Sequence, residues 1–251
     1  MLLFVFIFIL GSIFGSFLNS VIWRIETGKS FLKGRSVCPH CGHLLSFKDL
    51  IPIFSFLILK GRCRYCRKKI SLQYPLVEFF TGLLFLFIFL KNLDPLETIF
   101  SLLFSLFFIL IFVFDLKYYS IPDNVLYLSL FLALIYRLLK ILFFSSSLLE
   151  TFLSLLPSIF FLLLILISKE TWMGWGDFEI SILSGLFLGW PKILLSFFFS
   201  FLAGGIVSIF LIFFKKKEFH SKIPFAPFLI FGNLVSFFFG QKFIDFYFSL
   251  F

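Results

Sequence analysis

Eight apolar runs, each near the length of a membrane-spanning helix, occupy most of this 251-residue chain. A helix needs about 20 apolar residues to cross the hydrocarbon core, and a spanning backbone must satisfy its own hydrogen bonds. The runs are continuous rather than alternating, which argues against a membrane β-barrel. We therefore predict an all-α polytopic membrane protein with about eight transmembrane helices, the sixth short enough to be buried or half-inserted. The predicted spans are 2–23, 75–90, 98–114, 124–142, 152–168, 178–190, 193–214 and 224–240.

Basic residues predict the orientation of these helices. The loop at 24–74 holds half of the 22 Lys and Arg residues, and basic loops remain in the cytoplasm. Counting spans from there places Asp115, Asp177 and Lys215–Lys217 on the same cytoplasmic side of the inner membrane. The net charge of +9 is then explained by topology and by attraction to anionic membrane lipid. We expect no nucleic-acid partner, since no soluble domain is large enough to present a binding face.

The chain divides into two predicted regions. Residues 1–90 contain the first span, a cytoplasmic four-cysteine loop and a returning span. Residues 91–251 form a transmembrane bundle that carries both of the aspartates considered below. In the first span, Gly11 and Gly15 lie four residues apart, a spacing typical of closely packed membrane helices.

The loop contains two Cys-x-x-Cys pairs, CPHC and CRYC. Each pair forms a tight knuckle, so that four sulfurs can surround one tetrahedral ion, and the separation of the pairs is close to that of four-thiolate zinc sites. The alternative is two disulfides, which a reducing cytoplasm disfavours. We predict a structural Zn²⁺ held by Cys38, Cys41, Cys63 and Cys66, with His40 and His43 as neighbours of the site or solvated residues rather than ligands.

Two aspartates lie in short polar breaks between apolar runs: Asp115 in FDLKYYSIPD and Asp177 in GWGDFE. Each one alone is explained by a helix cap, or for Asp115 by pairing with Lys117. A carboxylate at a membrane boundary is nevertheless costly to desolvate and marks a functional site. Two on one face suit aspartic hydrolysis, because neighbouring carboxyls share a proton and can supply both a base and an acid. We take Asp115 and Asp177 as the candidate catalytic pair.

The ordered motifs of this chain resemble those of bacterial type IV prepilin peptidases. The resemblance rests on GSFLNSVIWR, CPHC, DLIPIFSFLILKGRCRYC, ISLQYPLVE, FDLKYYSIPD, MGWGDFE and PFAPFL, in that order. It covers nearly the whole length. One position departs: the family commonly has Lys two residues after the second aspartate, and this chain has Glu179.

The resemblance implies a bifunctional GxGD aspartic peptidase and N-methyltransferase, with Asp115 and Asp177 catalytic. Such an enzyme removes a short basic leader, just after a Gly, from type IV prepilin or pseudopilin precursors of pili or type II secretion. It then methylates the new N-terminal residue with S-adenosyl-L-methionine. The sequence contains no Rossmann-like glycine loop, so it assigns no residue to methyl transfer.

Two other functions stay open at the level of sequence. Another GxGD intramembrane aspartic protease shares the paired aspartates but has no need of the cysteine loop. A transporter or structural membrane protein with a zinc loop would use the aspartates for cations or protons. Transporters typically have polar or broken segments near mid-membrane, whereas the apolar runs here are nearly uninterrupted.

Overall fold

The structure, a computed structural model, describes residues 2–30, 34–144, 146–214 and 223–250. This part of the chain is helical and contains no strand, only two isolated β-bridges in the cysteine loop. A single 3₁₀ turn lies at Phe47–Asp49. The helices are α1 (Leu2–Glu26), α2 (Phe54–Ile58), α3 (Gln73–Leu90), α4 (Pro95–Tyr118), α5 (Asp123–Phe143), α6 (Leu148–Ser168), α7 (Trp175–Leu188), α8 (Lys192–Phe213) and α9 (Ala226–Phe248).

Seven of the described helices are long and apolar enough to cross a membrane: α1, α3, α4, α5, α6, α8 and α9. Together with α7 they match the eight predicted apolar runs in order. The prediction of an all-α multi-pass membrane protein is confirmed. The sixth run corresponds to α7, whose 14 residues span about 21 Å, less than the hydrocarbon thickness. The predicted cytoplasmic residues Lys33 and Lys215–Lys217 lie outside the described part of the chain.

The chain forms two compact units, Met1–Leu110 and Ile111–Phe251, and the boundary falls within α4. The boundary between two regions that the sequence suggests, between residues 90 and 91, stays a prediction. In the first unit α1 packs along α3. A Cβ at Gly11 would lie 2.9 Å from Gly82 Cα, and one at Gly15 would lie 2.7 Å from Glu78 Cα. The close packing predicted for this glycine pair is therefore confirmed.

In the second unit the short helix α7 is surrounded by other helices. It packs against α5, α6, α8 and α9. Ile180, Leu183 and Ser184 of α7 have no exposed surface, and a Cβ at Gly185 would overlap the Ser154 carbonyl of α6. Because its surroundings are largely protein, α7 does not need the length of a lipid-exposed span.

A buried polar cluster joins three helices of this unit. Asn233 of α9 donates from Nδ2 to Ser184 Oγ of α7 at 2.8 Å, and it accepts at Oδ1 from Ser196 Oγ of α8 at 2.7 Å. Asn233 and both serines are fully buried. A polar side chain in a membrane interior is tolerated when its donors and acceptors are satisfied in this way. The cluster fixes the position of α7 relative to α8 and α9.

Candidate active site and metal centre

Asp115 lies in the last turn of α4, and its side chain is buried, with 7% of the residue exposed. Its carboxylate accepts a hydrogen bond of 3.1 Å from the backbone N–H of Ala226. Ala226 is the first residue of α9, so this N–H is one of the donors that a helix start leaves without an intrahelical partner. The PFAPFL segment, to which the sequence assigned no role, thus supplies a positive helix end to the first candidate aspartate.

Lys117, considered as a partner for Asp115, lies over an aromatic ring. Its Nζ is 4.8 Å from the centre of the Tyr118 ring. Among the described residues, the hydrogen-bond partner of the Asp115 carboxylate is Ala226.

Asp177 occupies the third position of α7, after Gly174, Trp175 and Gly176, and is half-buried. The Gly174 backbone N–H lies close enough to its carboxylate to favour the charged form. This interaction is compatible with the helix-capping role that was weighed against a catalytic one for Asp177. The field at a helix start favours a carboxylate in this position.

The two aspartates are close enough for their charges to interact, and Asp115 disfavours ionisation of Asp177. Gly176 contributes to this approach. A Cβ at Gly176 would lie 2.9 Å from Ile121 Cδ1, so the glycine leaves room for the segment between α4 and α5 to lie against α7. The fold thus brings the candidate pair together from positions 62 residues apart (177 minus 115). Two carboxyls whose charges interact can share one proton when they approach closely.

A cleft of about 380 Å³ lies beside Asp177. Gly176 and Glu179, which flank Asp177 on α7, line one side, and Ile121 and the first turns of α5 line the other. Two aromatic rings, those of Trp175 and Tyr127, complete the walls. Asp123 also lines the cleft. It is the first residue of α5.

In the cysteine loop the four candidate ligands come together. The sulfurs of Cys38, Cys41, Cys63 and Cys66 all lie within 4.8 Å of one another, and none forms a disulfide. The distance from Cys38 Sγ to Cys66 Sγ is 3.9 Å. Zinc–sulfur bonds of about 2.3 Å in a tetrahedron place the sulfurs about 3.8 Å apart. The donor set therefore fits a tetrahedral thiolate-binding metal ion.

The two halves of this centre share one backbone design. Cys38 N–H donates to His43 O and Gly42 N–H to Cys38 O, both at 2.9 Å. In the second half Cys63 N–H donates to Lys68 O at 2.9 Å, and Arg67 N–H to Cys63 O at 3.0 Å. Gly42 and Arg67 follow the second cysteine of each pair with φ of 70° and 59°. Each half is thus a metal-binding knuckle closed by a left-handed residue, a conformation that suits glycine far better than arginine.

Electrostatics also favour a cation among the thiols. Burial opposes ionisation of Cys38, but the backbone N–H groups of Cys41 and His40 and the neighbouring thiols outweigh it and lower the pKa of Cys38 to about 7. One thiolate therefore forms readily in the cluster. Further thiolates beside it require a compensating positive charge, which a bound metal ion supplies.

Asp49 organises the loop around the second knuckle, a role that the sequence did not reveal. Its carboxylate accepts hydrogen bonds from Arg64 Nε at 2.7 Å, Ser46 Oγ at 2.7 Å and Tyr65 Oη at 3.2 Å. Burial opposes the charge, but these donors hold the pKa of Asp49 at about 2. The Tyr65 ring also stacks on His43 at 3.6 Å between centroids. His43 is thus a packing partner of the second knuckle.

A buried glutamate ties the loop to its membrane helices. Glu78 of α3 accepts a hydrogen bond of 2.7 Å from the backbone N–H of Ile53. Ile53 has φ 64° and ψ −53°, and the Phe54 N–H donates to the Pro52 carbonyl across it, which makes a strained γ-turn. A β-branched residue adopts positive φ only when its surroundings impose it. The sequence motif contained Glu78 but gave no sign of this partner.

Fold and site together define a membrane-embedded peptidase of the two-aspartate class with a metal-binding loop. Two family models match the chain: a bacterial peptidase A24 N-terminal domain over residues 9–92 and the type IV leader peptidase family over residues 102–209. The chain belongs to this family of prepilin peptidases, and the resemblance drawn from the motifs is confirmed. The alternatives of a different intramembrane protease and of a transporter are not favoured.

Three relatives illustrate the similarity, and all three are named prepilin leader peptidase/N-methyltransferase. The Bacillus subtilis protein is 31% identical over 96% of both chains. The Pectobacterium carotovorum protein is 31% identical over 90% of this chain and 89% of its own length. The Aeromonas hydrophila protein is 28% identical over 98% of this chain and 94% of its own. No solved structure shows significant similarity.

Proposed function

We propose that this protein cleaves the leader peptide from type IV prepilin-like precursors, with Asp115 and Asp177 as the catalytic pair. The observation that carries this assignment is the charge interaction between the two carboxylates, together with the hydrogen bond to Asp115 from the first N–H of α9. The names of the relatives supply the substrate class.

The reaction follows from the shared proton. One carboxylate, ionised, removes a proton from a water molecule that attacks the scissile carbonyl. The other, protonated, donates to the carbonyl oxygen as the tetrahedral intermediate forms. The Ala226 N–H stabilises negative charge on Asp115. Mutual repulsion disfavours double ionisation, so the pair can retain the one proton that the reaction requires.

The substrate approaches from the membrane interface in this proposal. A precursor with a charged leader followed by an apolar helix places its cleavage point where the apolar helix leaves the bilayer. The end of α4 and the start of α7, which carry the aspartates, are polar breaks between apolar helices. We place this face in the cytoplasm, because the basic cysteine loop should remain inside.

We also propose that the cysteine cluster holds a structural Zn²⁺ and that the enzyme methylates the new N-terminus using S-adenosyl-L-methionine. Four thiolates around zinc would contribute folding energy to a loop with few buried apolar side chains. The name of the relatives supports methylation. The described residues display no built site for the methyl donor, so we assign no residue to that step.

The test is leader removal in cells that lack their own prepilin peptidase. The chain is co-expressed with a prepilin, and cleavage is followed by gel mobility and N-terminal mass spectrometry. We expect the wild type to cleave and Asp115→Asn and Asp177→Asn to reduce cleavage by at least about 10³-fold. Asp245→Asn, a change in an exposed acid at the far end of α9, is the matched control. Cleavage retained by both active-site variants would overturn the assignment.

A further inference from the structure

We propose that the cleft beside Asp177 is a specificity pocket for a Lys or Arg side chain of the substrate, with Glu179 and Asp123 as its anionic walls. The inference deepens the proposed function and rests on it. Neither residue takes part in the proton transfers above. Both would select which leader reaches the catalytic pair.

The first support is position. The cleft is lined by Gly176 and Glu179, one residue before and two residues after Asp177. A side chain bound in this cleft would therefore lie against the same end of α7 that carries Asp177. The volume of about 380 Å³ accommodates one long side chain and part of its backbone.

The second support is charge. The Asp123 and Glu179 carboxylates lie close enough to repel each other. In the described part of the chain, neither one forms a salt bridge. A cationic side chain between them would replace this repulsion with two attractions. Asp123 lies in the first turn of α5, where the helix field favours an ionised carboxylate.

The third support is the form of the walls. The Trp175 and Tyr127 side chains are exposed and line the cleft, and aromatic rings attract a cation and pack against the aliphatic stem of Lys or Arg. Trp175 is held in place, because its Nε1–H donates to Glu170 Oε1 at 2.6 Å. This bond brings a third carboxylate to the indole. An apolar or anionic substrate residue would gain little from such surroundings.

The experiment measures kcat and KM separately for purified enzyme in detergent, with a prepilin substrate that carries Lys or Gln at each leader position in turn. At the position that enters the cleft, Glu179→Gln should raise KM for the Lys substrate about fivefold and leave kcat nearly unchanged. Asp123→Asn should act in the same direction. For the substrate with Gln at that position, both variants should equal the wild type. The effect of these substitutions on KM for the Lys substrate should become smaller as the salt concentration increases.

A charge exchange gives the sharper test. Glu179→Lys should disfavour the Lys substrate and restore KM for a substrate with Glu at the same position. Glu150→Gln, an exposed acid in the first turn of α6, is the matched control and should change neither constant.

The outcomes separate this inference from the proposed function. A wild-type enzyme that cleaves no prepilin overturns both. A wild type that cleaves, with Glu179 and Asp123 variants that affect Lys, Gln and Glu substrates equally, overturns the specificity pocket alone. Loss in kcat with no change in KM would also overturn it, because it would place Glu179 in the chemistry rather than in recognition.

Discussion

The backbone N–H of Ala226 donates a hydrogen bond of 3.1 Å to the Asp115 carboxylate, and this bond joins the first residue of α9 to the last turn of α4. The two residues are 111 positions apart in the chain. The contact is buried, so its loss would leave a donor without a partner in the protein interior. Asp115 thus has a structural role that can be separated from catalysis by the choice of substitution.

Substitution of Asp115 by Asn and by Ala should have equal effects on activity and different effects on stability. Asn keeps an oxygen that can accept from Ala226 but cannot take a proton from water, whereas Ala removes both functions. We expect both to abolish leader cleavage, with Ala also lowering the free energy of unfolding by about 1–3 kcal/mol. Thermal unfolding in detergent, beside the cleavage assay, measures the two effects. Equal thermal stability of the two variants would contradict the structural role.

Packing of α7 against α6 gives a second prediction. A Cβ at Gly185 would overlap the Ser154 carbonyl, which is backbone and cannot move aside. Gly185→Ala should displace α7, lower the free energy of unfolding by about 1–3 kcal/mol and reduce cleavage, because Asp177 is on the same helix. Gly205→Ala in α8 is the control, since nothing lies within 4 Å of its added Cβ. Equal thermal stability of the two alanine variants would contradict this prediction, because it would show that α6 and α7 can move apart without loss of stability.

The Asn233 cluster gives a third prediction. Asn233→Leu removes hydrogen bonds to Ser184 and Ser196 and leaves both hydroxyls without this partner. Hydrogen bonds between membrane helices contribute about 0.6 kcal/mol each, so a loss of about 1–2 kcal/mol in the free energy of unfolding is expected. Cleavage should fall through a lower kcat, since the active-site end of α7 becomes less well positioned. Asn233→Gln, which retains the amide, should recover part of kcat. No difference between Leu and Gln would contradict a positioning role.

Much of this architecture could be read from the sequence, because membrane helices are encoded locally. Run length alone predicts α1, α3, α4, α5, α6, α8 and α9. The four cysteines were identified by spacing, since each Cys-x-x-Cys forms its own knuckle. The four-residue spacing of the two glycines in α1 likewise predicts close helix packing from local sequence alone. These features required no knowledge of which helices are neighbours in space.

The remaining features depend on contacts between distant residues. Asp123 of α5 and Glu179 of α7 line the same cleft, and no spacing in the sequence indicates this neighbourhood. The roles of Ala226, Asp49 and Glu78 rest on hydrogen bonds to backbone or side chains that no spacing rule predicts. The PFAPFL segment does allow one prediction from sequence. Proline is typical of a helix start, and the first N–H groups of a helix are free to bind an anion.

Loss of the proposed Zn²⁺ should affect the cysteine loop while leaving the catalytic pair largely active. Cys63→Ser takes one of four sulfurs from the cluster, and in the proposed zinc site the loop would lose metal-coupled folding energy. We expect lower zinc content by elemental analysis, lower protein level and reduced methylation, with leader cleavage per molecule largely kept. Ser36→Ala, a change beside the first knuckle that removes no sulfur, is the control. Zinc content unchanged in Cys63→Ser would contradict four-thiolate binding.

Opposite substitutions at the residue that follows each Cys-x-x-Cys pair, Arg67→Gly and Gly42→Ala, test whether backbone strain governs metal binding. Arg67 has φ 59°, a conformation that costs an L-residue about 1–2 kcal/mol, whereas Gly42 at φ 70° carries little such strain. Arg67→Gly should therefore relieve strain, partly offset by the greater entropy of glycine in the unfolded chain, and stabilise the folded loop by about 0.5–1 kcal/mol. Gly42→Ala should destabilise it by a similar amount. In chelator competition, the apparent zinc affinity should rise about two- to fivefold in the first variant and fall by a similar factor in the second. Shifts in the same direction for both variants would mean that charge, and not backbone strain, governs the knuckles.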